Sequence, residues 1–147
     1  MPKVVVNHAK GLVQESGIGM EIDSRLALGV ATIAAPAAAA ASASAGNQID
    51  STKTVHVVTN ANDRIYLPDP ASVPDGTVYI LIAAEAFELA TEGTSISIND
   101  TTGCTDASAA VAKELAVSAE TALMCIRQSS TVWRVVAMAD GGAADAV

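Results

Sequence analysis

Two histidines, two cysteines and a set of aspartates are the side chains in this sequence that could do chemistry. His56 lies in the strand-like run VHVV, where its ring faces one side and its valine neighbours face the other. His8 follows an apolar segment, and no further metal-ligand residues accompany it. Neither histidine is spaced from a cysteine as zinc sites require, so we predict no metal or other cofactor. We expect His56 to be a hydrogen-bonded or solvent-facing side chain and His8 to be available for contact with a partner.

The aspartates Asp63, Asp69, Asp75 and Asp100 all fall in turn-like segments. Aspartate is common there because its carboxylate accepts hydrogen bonds from its own backbone. The spacing of the four matches no calcium-binding loop, so we assign them to turns. The sequence also contains neither a G-x-S-x-G nucleophile motif nor a phosphate-binding glycine loop. We therefore expect no catalysis; a small acid/base hydrolase using these aspartates is the enzyme alternative.

The two cysteines predict little chemistry. Cys125 lies in the apolar run ALMCIR and is expected to be a small buried side chain, whereas Cys104 in TTGCTD is expected in a loop. Two cysteines are too few for a disulfide framework, although a single bridge between them stays open. The tripeptide NDT at Asn99 is a formal glycosylation sequon, which has meaning only in a secretory compartment.

Charge and composition bear on the partners. The formal net charge is −8, and the eight basic residues are dispersed along the chain, which argues against nucleic-acid binding because that relies on clustered lysine and arginine. Half of the residues are hydrophobic, but the aromatic residues are one Trp, one Phe and two Tyr. Alanine supplies much of the rest and buries little area. A core this thin favours a homo-oligomer.

The apolar stretch from Leu26 to Ala45 could suggest a membrane or signal segment. It consists mainly of alanine and is interrupted by Pro36, so it is marginal for a membrane-spanning helix and does not have the layout of a secretory signal. We predict a short helix or strand within Ser24–Ala35, followed by a flexible linker, and no membrane partner.

Composition divides the chain into four regions. We predict an N-terminal arm at 1–35, an Ala/Ser-rich linker at 36–48, a β-rich body at 49–139 and a Gly/Ala tail at 140–147. Within the body, AEAFELATEG and DASAAVAKEL are each compatible with a helical turn. The strand-like runs, separated by turn residues, are TKTVHVVT, RIYL, TVYILIA, TSISIN, ELAVSA, TALMCIRQ and TVWRVVAM. Such a series predicts a mainly β fold, with a compact β-sandwich or barrel-like body and an extended N-terminal arm.

The segment RIYLPDPASVPDGTVYILI reads as two strands joined by a proline-fixed corner, in which Gly76 supplies a permissive backbone. The only tryptophan, Trp133, lies in the later run STVWRVV. A side chain of that size buries about 150–250 Å², and we place it in the core in preference to a subunit interface.

The order RIYLP, ASVPDGTVYILI, TSISIND and TALMCIRQSSTVWRVV resembles a pattern of small virion proteins from tailed bacteriophages, which occurs in capsid decoration, head-fibre and tail-fibre β-domains. The resemblance covers about Thr54 to Val136. The sequence departs from that pattern at AEAFELATEG, which stands where such proteins often have a short N-x-G turn. The resemblance implies a compact β-domain, commonly trimeric, that decorates a particle or forms part of a fibre.

The function implied is that of a virion structural protein on the capsid surface, a decoration (cement) or head-fibre protein that binds the major capsid protein or another virion protein. We expect the arm to make this contact, with KVVV added as a strand to an exposed sheet edge. Its candidate residues are Val4, Val5, Val6, Leu12 and Met20. A homotrimer would be held, or its core filled, by Tyr79, Leu81 and Trp133.

The alternative is a fibre-tip or adhesin-like module that binds a host-surface glycan. The loops NANDR and NDTTGCTD would then supply polar and acidic contacts. Glycan sites usually contain aromatic side chains that stack on sugar rings, and the scarcity of aromatic residues counts against this alternative.

Overall fold

The computed structural model describes residues 4–7, 11–14, 27–34, 47–60, 63–91, 95–99, 101–102 and 115–139. Within these ranges the chain forms strands and one short 3-10 helix at Pro70–Ser72. The strands are β1 (Val4–Asn7), β2 (Gly11–Gln14), β3 (Val30–Ile33), β4 (Val55–Val58), β5 (Asp63–Leu67), β6 (Val78–Ala83), β7 (Phe87–Thr91), β8 (Ser97–Ile98), β9 (Thr101–Thr102), β10 (Leu115–Val117), β11 (Ala122–Ser129) and β12 (Val132–Ala139).

The described strands form three sheets. β1 and β2 make an antiparallel hairpin. A large sheet has the order β3-β4-β6-β11-β12-β8-β9, and a small sheet has the order β10-β7-β5. Both of these contain parallel and antiparallel neighbours: β3, β4 and β6 run parallel, whereas β6, β11 and β12 alternate in direction. The predicted mainly β class with a sandwich-like body is confirmed.

The core lies between the large and small sheets. In β6 and β11 every second side chain points inward and is buried, including Tyr79, Leu81, Leu123 and Cys125. The small sheet contributes inward residues such as Leu89. The period of two that the sequence showed in TSISIN is also present, since Ile96 and Ile98 are buried while the intervening serine is half-buried.

The helical turn predicted for AEAFELATEG is wrong. Phe87–Thr91, inside the segment predicted as a helical turn, is strand β7 at the centre of the small sheet. It pairs in parallel with β5 and antiparallel with β10. Pairing on both edges and burial of Phe87 and Leu89 outweigh the weak helix propensity of the neighbouring alanines. Leu115, at the end of the other candidate helix, begins strand β10, and the rest of that candidate lies outside the described residues.

The body extends further than the predicted boundaries. Val30–Ile33, expected in the arm, is the edge strand β3 of the large sheet and pairs with β4. Asn47, expected in the linker, is buried, and its carbonyl accepts a 2.8 Å hydrogen bond from the Tyr66 amide. Residues 36–46 of the predicted linker and the predicted tail at 140–147 lie outside the described residues. In the part of the chain that is described, no helix is long and apolar enough to cross a membrane.

Candidate interaction face and the core beneath it

Two side chains of the β11–β12 hairpin fix the proline corner between β5 and β6. Arg127 and Trp133 lie opposite each other in the ladder and are both buried. The indole Nε1 of Trp133 donates to the carbonyl of Pro68 at 3.1 Å, and Nε of Arg127 donates to the carbonyl of Pro70 at 2.8 Å. The corner is therefore attached to the hairpin by two hydrogen bonds that satisfy backbone carbonyls of buried residues.

The corner also uses its own aspartates. The Asp69 carboxylate accepts a 2.8 Å hydrogen bond from the Ala71 amide and caps the 3-10 helix, so its predicted turn role is confirmed. Asp75 makes an ion pair with Arg127. The predicted permissive glycine is confirmed as well, because Gly76 has a φ of 76°, a region that favours glycine. The turn position predicted for Asp63 is wrong, because pairing with β7 begins at this residue: Asp63 is the first residue of β5 and lies opposite Phe87. Asp100 lies outside the described residues.

The three residues predicted at a subunit interface or in the core lie in the core of a single chain. Tyr79 is 2% exposed, and Leu81 and Trp133 are fully buried. The rings of Tyr79 and Trp133 have centroids 5.6 Å apart, and Tyr79 meets His56 edge to face at 5.8 Å. Since these side chains have almost no accessible area, a contact with a second subunit has to use other residues.

His56 is enclosed by this aromatic cluster. Its Nε2 lies 3.1 Å from the Asp50 carbonyl oxygen, whereas Nδ1 and the Tyr79 hydroxyl have no hydrogen-bond partner among the described residues. Burial lowers the pKa of His56, although the Asp50 backbone bond and charge act in the opposite direction. Burial likewise raises the pKa of Tyr79. A neutral, buried imidazole in an apolar setting fits the structural role that the sequence indicated.

The free energy of unfolding should fall as the pH drops below about 6.5, the pKa of an unfolded histidine. Below that pH the histidine side chain of the unfolded chain is protonated. In the folded protein the pKa of His56 is lowered, so the imidazole becomes protonated only at a lower pH. The slope should reach at most about 1.4 kcal/mol per pH unit. Hydrogen bonds from Thr52 are the main cause of the lowered pKa of Asp50. Protonation of Asp50 therefore lowers the free energy of unfolding further only at more acid pH.

Urea unfolding at pH 8 to 5 measures this slope, and proton NMR measures the pKa of His56 directly. The variant His8→Gln leaves His56 as the only histidine signal and should keep the slope of the wild-type protein. A His56 pKa at or above 6.5 in that variant, or a stability independent of pH over this range, would contradict the prediction.

Other residues singled out in the sequence have structural roles. Cys125 is a buried free thiol, and burial raises its pKa to about 12, so it stays protonated and unreactive. Asn99 adopts a φ of 54°, and its amide bonds both the N–H and the carbonyl of Val135, at 2.9 and 3.2 Å. The nitrogen of the formal sequon is therefore already engaged. Cys104 lies outside the described residues.

Within the described part of the chain, the fold does not assemble a cluster for metal binding. No group of three or more His, Cys, Asp or Glu side chains there is close enough to hold a metal ion. A cleft of about 240 Å³ lies between the small sheet and the β11–β12 hairpin. Its described lining includes the apolar residues Leu115, Leu123 and Val135, and its polar side chains are those of Asn99, Ser118 and Thr121.

The surface that stands out is the side of the large sheet turned away from the core, which we call the outer face. Strand registers place Val30, Val55, Ile80, Met124 and Val136 side by side in one continuous row across β3, β4, β6, β11 and β12. The outer face consists of that row together with Thr32, Val57, Val78, Ile82, Ala122, Ile126, Gln128, Val132 and Arg134.

Apolar side chains on the outer face remain in contact with solvent. Val30, Ile82 and Val136 are 58%, 41% and 52% exposed, and the residues between them are half-buried. The only charged residue of the face is Arg134, which donates to Gln128. Because antiparallel sheets that face water normally carry polar residues on that side, this composition is typical of a surface that packs against protein.

The sequence contains a signal for the outer face. TVYILIA and VHVV are almost continuously apolar, as in strands buried on both sides, and do not alternate as a half-solvated strand does. Of the residues predicted for the arm contact, Val4, Val5, Val6 and Leu12 lie in the β1–β2 hairpin, with Val6 opposite Leu12, and Met20 lies outside the described residues.

The outer face is suited to bind a flat apolar partner, because the core and the proline corner lie behind it in the same body.

Neither the family models, nor the curated proteins, nor the solved structures contain a match to this chain.

Proposed function

We propose that this protein is a virion structural protein, a capsid decoration (cement) or head-fibre subunit that binds the capsid surface. The outer face is the observation that carries the proposal. A row of five apolar side chains crosses five strands of the large sheet, and it needs a protein partner to leave water. A subunit of a larger assembly has such partners permanently.

The resemblance of residues 54–136 to virion β-domains is the second support, because it indicates that the larger assembly is a virus particle. The segment that carries it includes the proline corner, which Trp133 and Arg127 attach to the core. In this proposal the body is a rigid spacer that presents its surfaces at fixed positions on the particle. The resemblance implies a trimer.

The arm supplies the proposed contact with the major capsid protein. Val4–Asn7 and Gly11–Gln14 pair over four residues each, so one edge of β1 is occupied by β2. We propose that the hairpin as a unit docks on the capsid, with Val4, Val5, Val6 and Leu12 as its apolar residues. This replaces the addition of a single arm strand to an exposed sheet edge.

Quantifying the protein in purified particles tests the proposal. Cells that carry the gene are induced to produce virus, particles are isolated on a density gradient, and the chain is quantified by mass spectrometry against the major capsid protein. We expect a fixed ratio with many copies per particle, and regular labelling of intact particles by antibodies. Particles that lack the protein would contradict the proposal. If the purified protein then bound a glycan, that result would favour the adhesin-like alternative.

A further inference from the structure

We propose that the outer face of the large sheet packs against the same face of neighbouring copies of this chain. This deepens the proposed function, because it names the partner of the surface on which that function rests. It also moves the subunit contact away from Tyr79, Leu81 and Trp133, which the core already covers completely.

The first argument is that the large sheet is apolar on both sides. In β6 the inward residues Tyr79 and Leu81 are buried, and the outward residues Val78, Ile80 and Ile82 are apolar as well. The small sheet covers the inner side. In the described part of the chain no further layer covers the outer side, where Ile82 is 41% exposed. Stable domains bury each apolar sheet face against another element, and in this proposal a neighbouring copy of the chain supplies that layer.

The second argument is charge. The chain has a formal net charge of −8 and sixteen acidic residues, so two copies repel each other over most orientations. None of these acidic residues belongs to the outer face. The one charged side chain of the face, Arg134, donates to Gln128 of the same chain. Two copies can therefore approach closely at the outer face, whose other side chains are uncharged and need no oppositely charged partner.

The third argument is size. With strands about 4.8 Å apart and a rise of about 3.3 Å per residue, five strands over six residues cover a plane of roughly 20 by 20 Å. Such an area, near 400 Å², is within the range of about 300–600 Å² for the largest apolar patch on a monomer, a patch that is often functional. It also supplies about half of the roughly 800 Å² that each partner buries in a standard interface.

The test is the concentration dependence of the solution mass of the full chain, measured by sedimentation velocity. We compare the wild-type protein with Ile82→Lys/Val136→Lys, which adds two charges at positions already at least 41% exposed and therefore leaves the fold intact. Ala116→Lys/Ser118→Lys is the matched control, because it adds the same charge at exposed positions in and beside β10 of the small sheet. Circular dichroism verifies the fold of both variants.

We expect the wild-type protein and the control to form the same oligomer, dimer or trimer, and the outer-face variant to dissociate at least a hundredfold more readily because its lysines would be buried without partners. A wild-type protein that stays monomeric at hundreds of micromolar, or an oligomer unaffected by the outer-face lysines, would overturn the inference. The oligomeric state of the purified protein does not depend on whether the chain is found in virus particles, so this test is separate from that of the proposed function. An oligomer held by the outer face in a chain absent from particles would refute the virion role alone.

Discussion

Trp133→Ala is expected to lower the free energy of unfolding by about 4 kcal/mol or more, because truncation of a buried Phe or Trp to alanine typically costs about 3–5 kcal/mol. Trp133 is fully buried and packs on Tyr79. The change also removes the indole donor of the Pro68 carbonyl, and an unpaired buried acceptor costs about 1–3 kcal/mol. Since domains of this size are stable by about 5–15 kcal/mol in total, one substitution removes a large share.

Urea unfolding followed by far-ultraviolet circular dichroism measures the effect without a tryptophan probe. Trp133→Phe retains an aromatic ring but has no indole N–H, so it should lie between the wild-type protein and Trp133→Ala. Thr131→Ala, at an exposed position beside the same strand, should stay within about 0.5 kcal/mol. If Trp133→Ala unfolds within about 1 kcal/mol of the wild-type protein, the side chain does not anchor this core.

The sequence predicted this anchor and the strands around it because both depend on local patterns. Alternation in TSISIN, β-branched residues in VHVV and the PDG turn ahead of β6 each depend on a few adjacent residues. The burial of Cys125 and Trp133 followed from their apolar surroundings. These features need no knowledge of which strand pairs with which.

What the sequence could not predict depends on residues far apart in the chain. Phe87–Thr91 becomes a strand because β5 and β10 pair with its two edges, which neither alanine propensity nor local pattern reveals. Val30–Ile33 joins the body because it pairs with β4, beyond a segment of low complexity. Parallel pairing of this kind leaves no turn signal in the sequence, since its connections are long.

The candidate site illustrates the same limit. Val30 and Val136 are more than a hundred positions apart in the sequence, and only the order β3-β4-β6-β11-β12 places them in one row. The residues predicted from the sequence for the subunit interface or the core were the large ones, Tyr79, Leu81 and Trp133. A chain with few large side chains buries them in its own core first, and smaller aliphatic residues remain for the outer face.

Arg127→Ala is expected to lower the free energy of unfolding by about 3 kcal/mol, because hydrogen bonds to charged groups contribute about 1.5–3 kcal/mol and the aliphatic part of the buried side chain is lost as well. Arg127 donates to the Pro70 carbonyl from a position in which it is 9% exposed. Its ion pair with Asp75 contributes less, since the Asp75 side chain is 80% exposed and pairs with such solvent contact contribute about 0–1 kcal/mol.

Comparison of Arg127→Ala, Asp75→Ala and the double variant separates these two contributions by urea unfolding. If the carbonyl bond dominates, Asp75→Ala costs less than about 1 kcal/mol, and the double variant is about as unstable as Arg127→Ala alone, because removing Asp75 has little further effect once its partner is gone. An Asp75→Ala loss equal to that of Arg127→Ala would instead show that the ion pair holds the corner. The corner would then weaken in high salt, which screens an exposed ion pair but leaves a buried hydrogen bond between Arg127 and the Pro70 carbonyl intact.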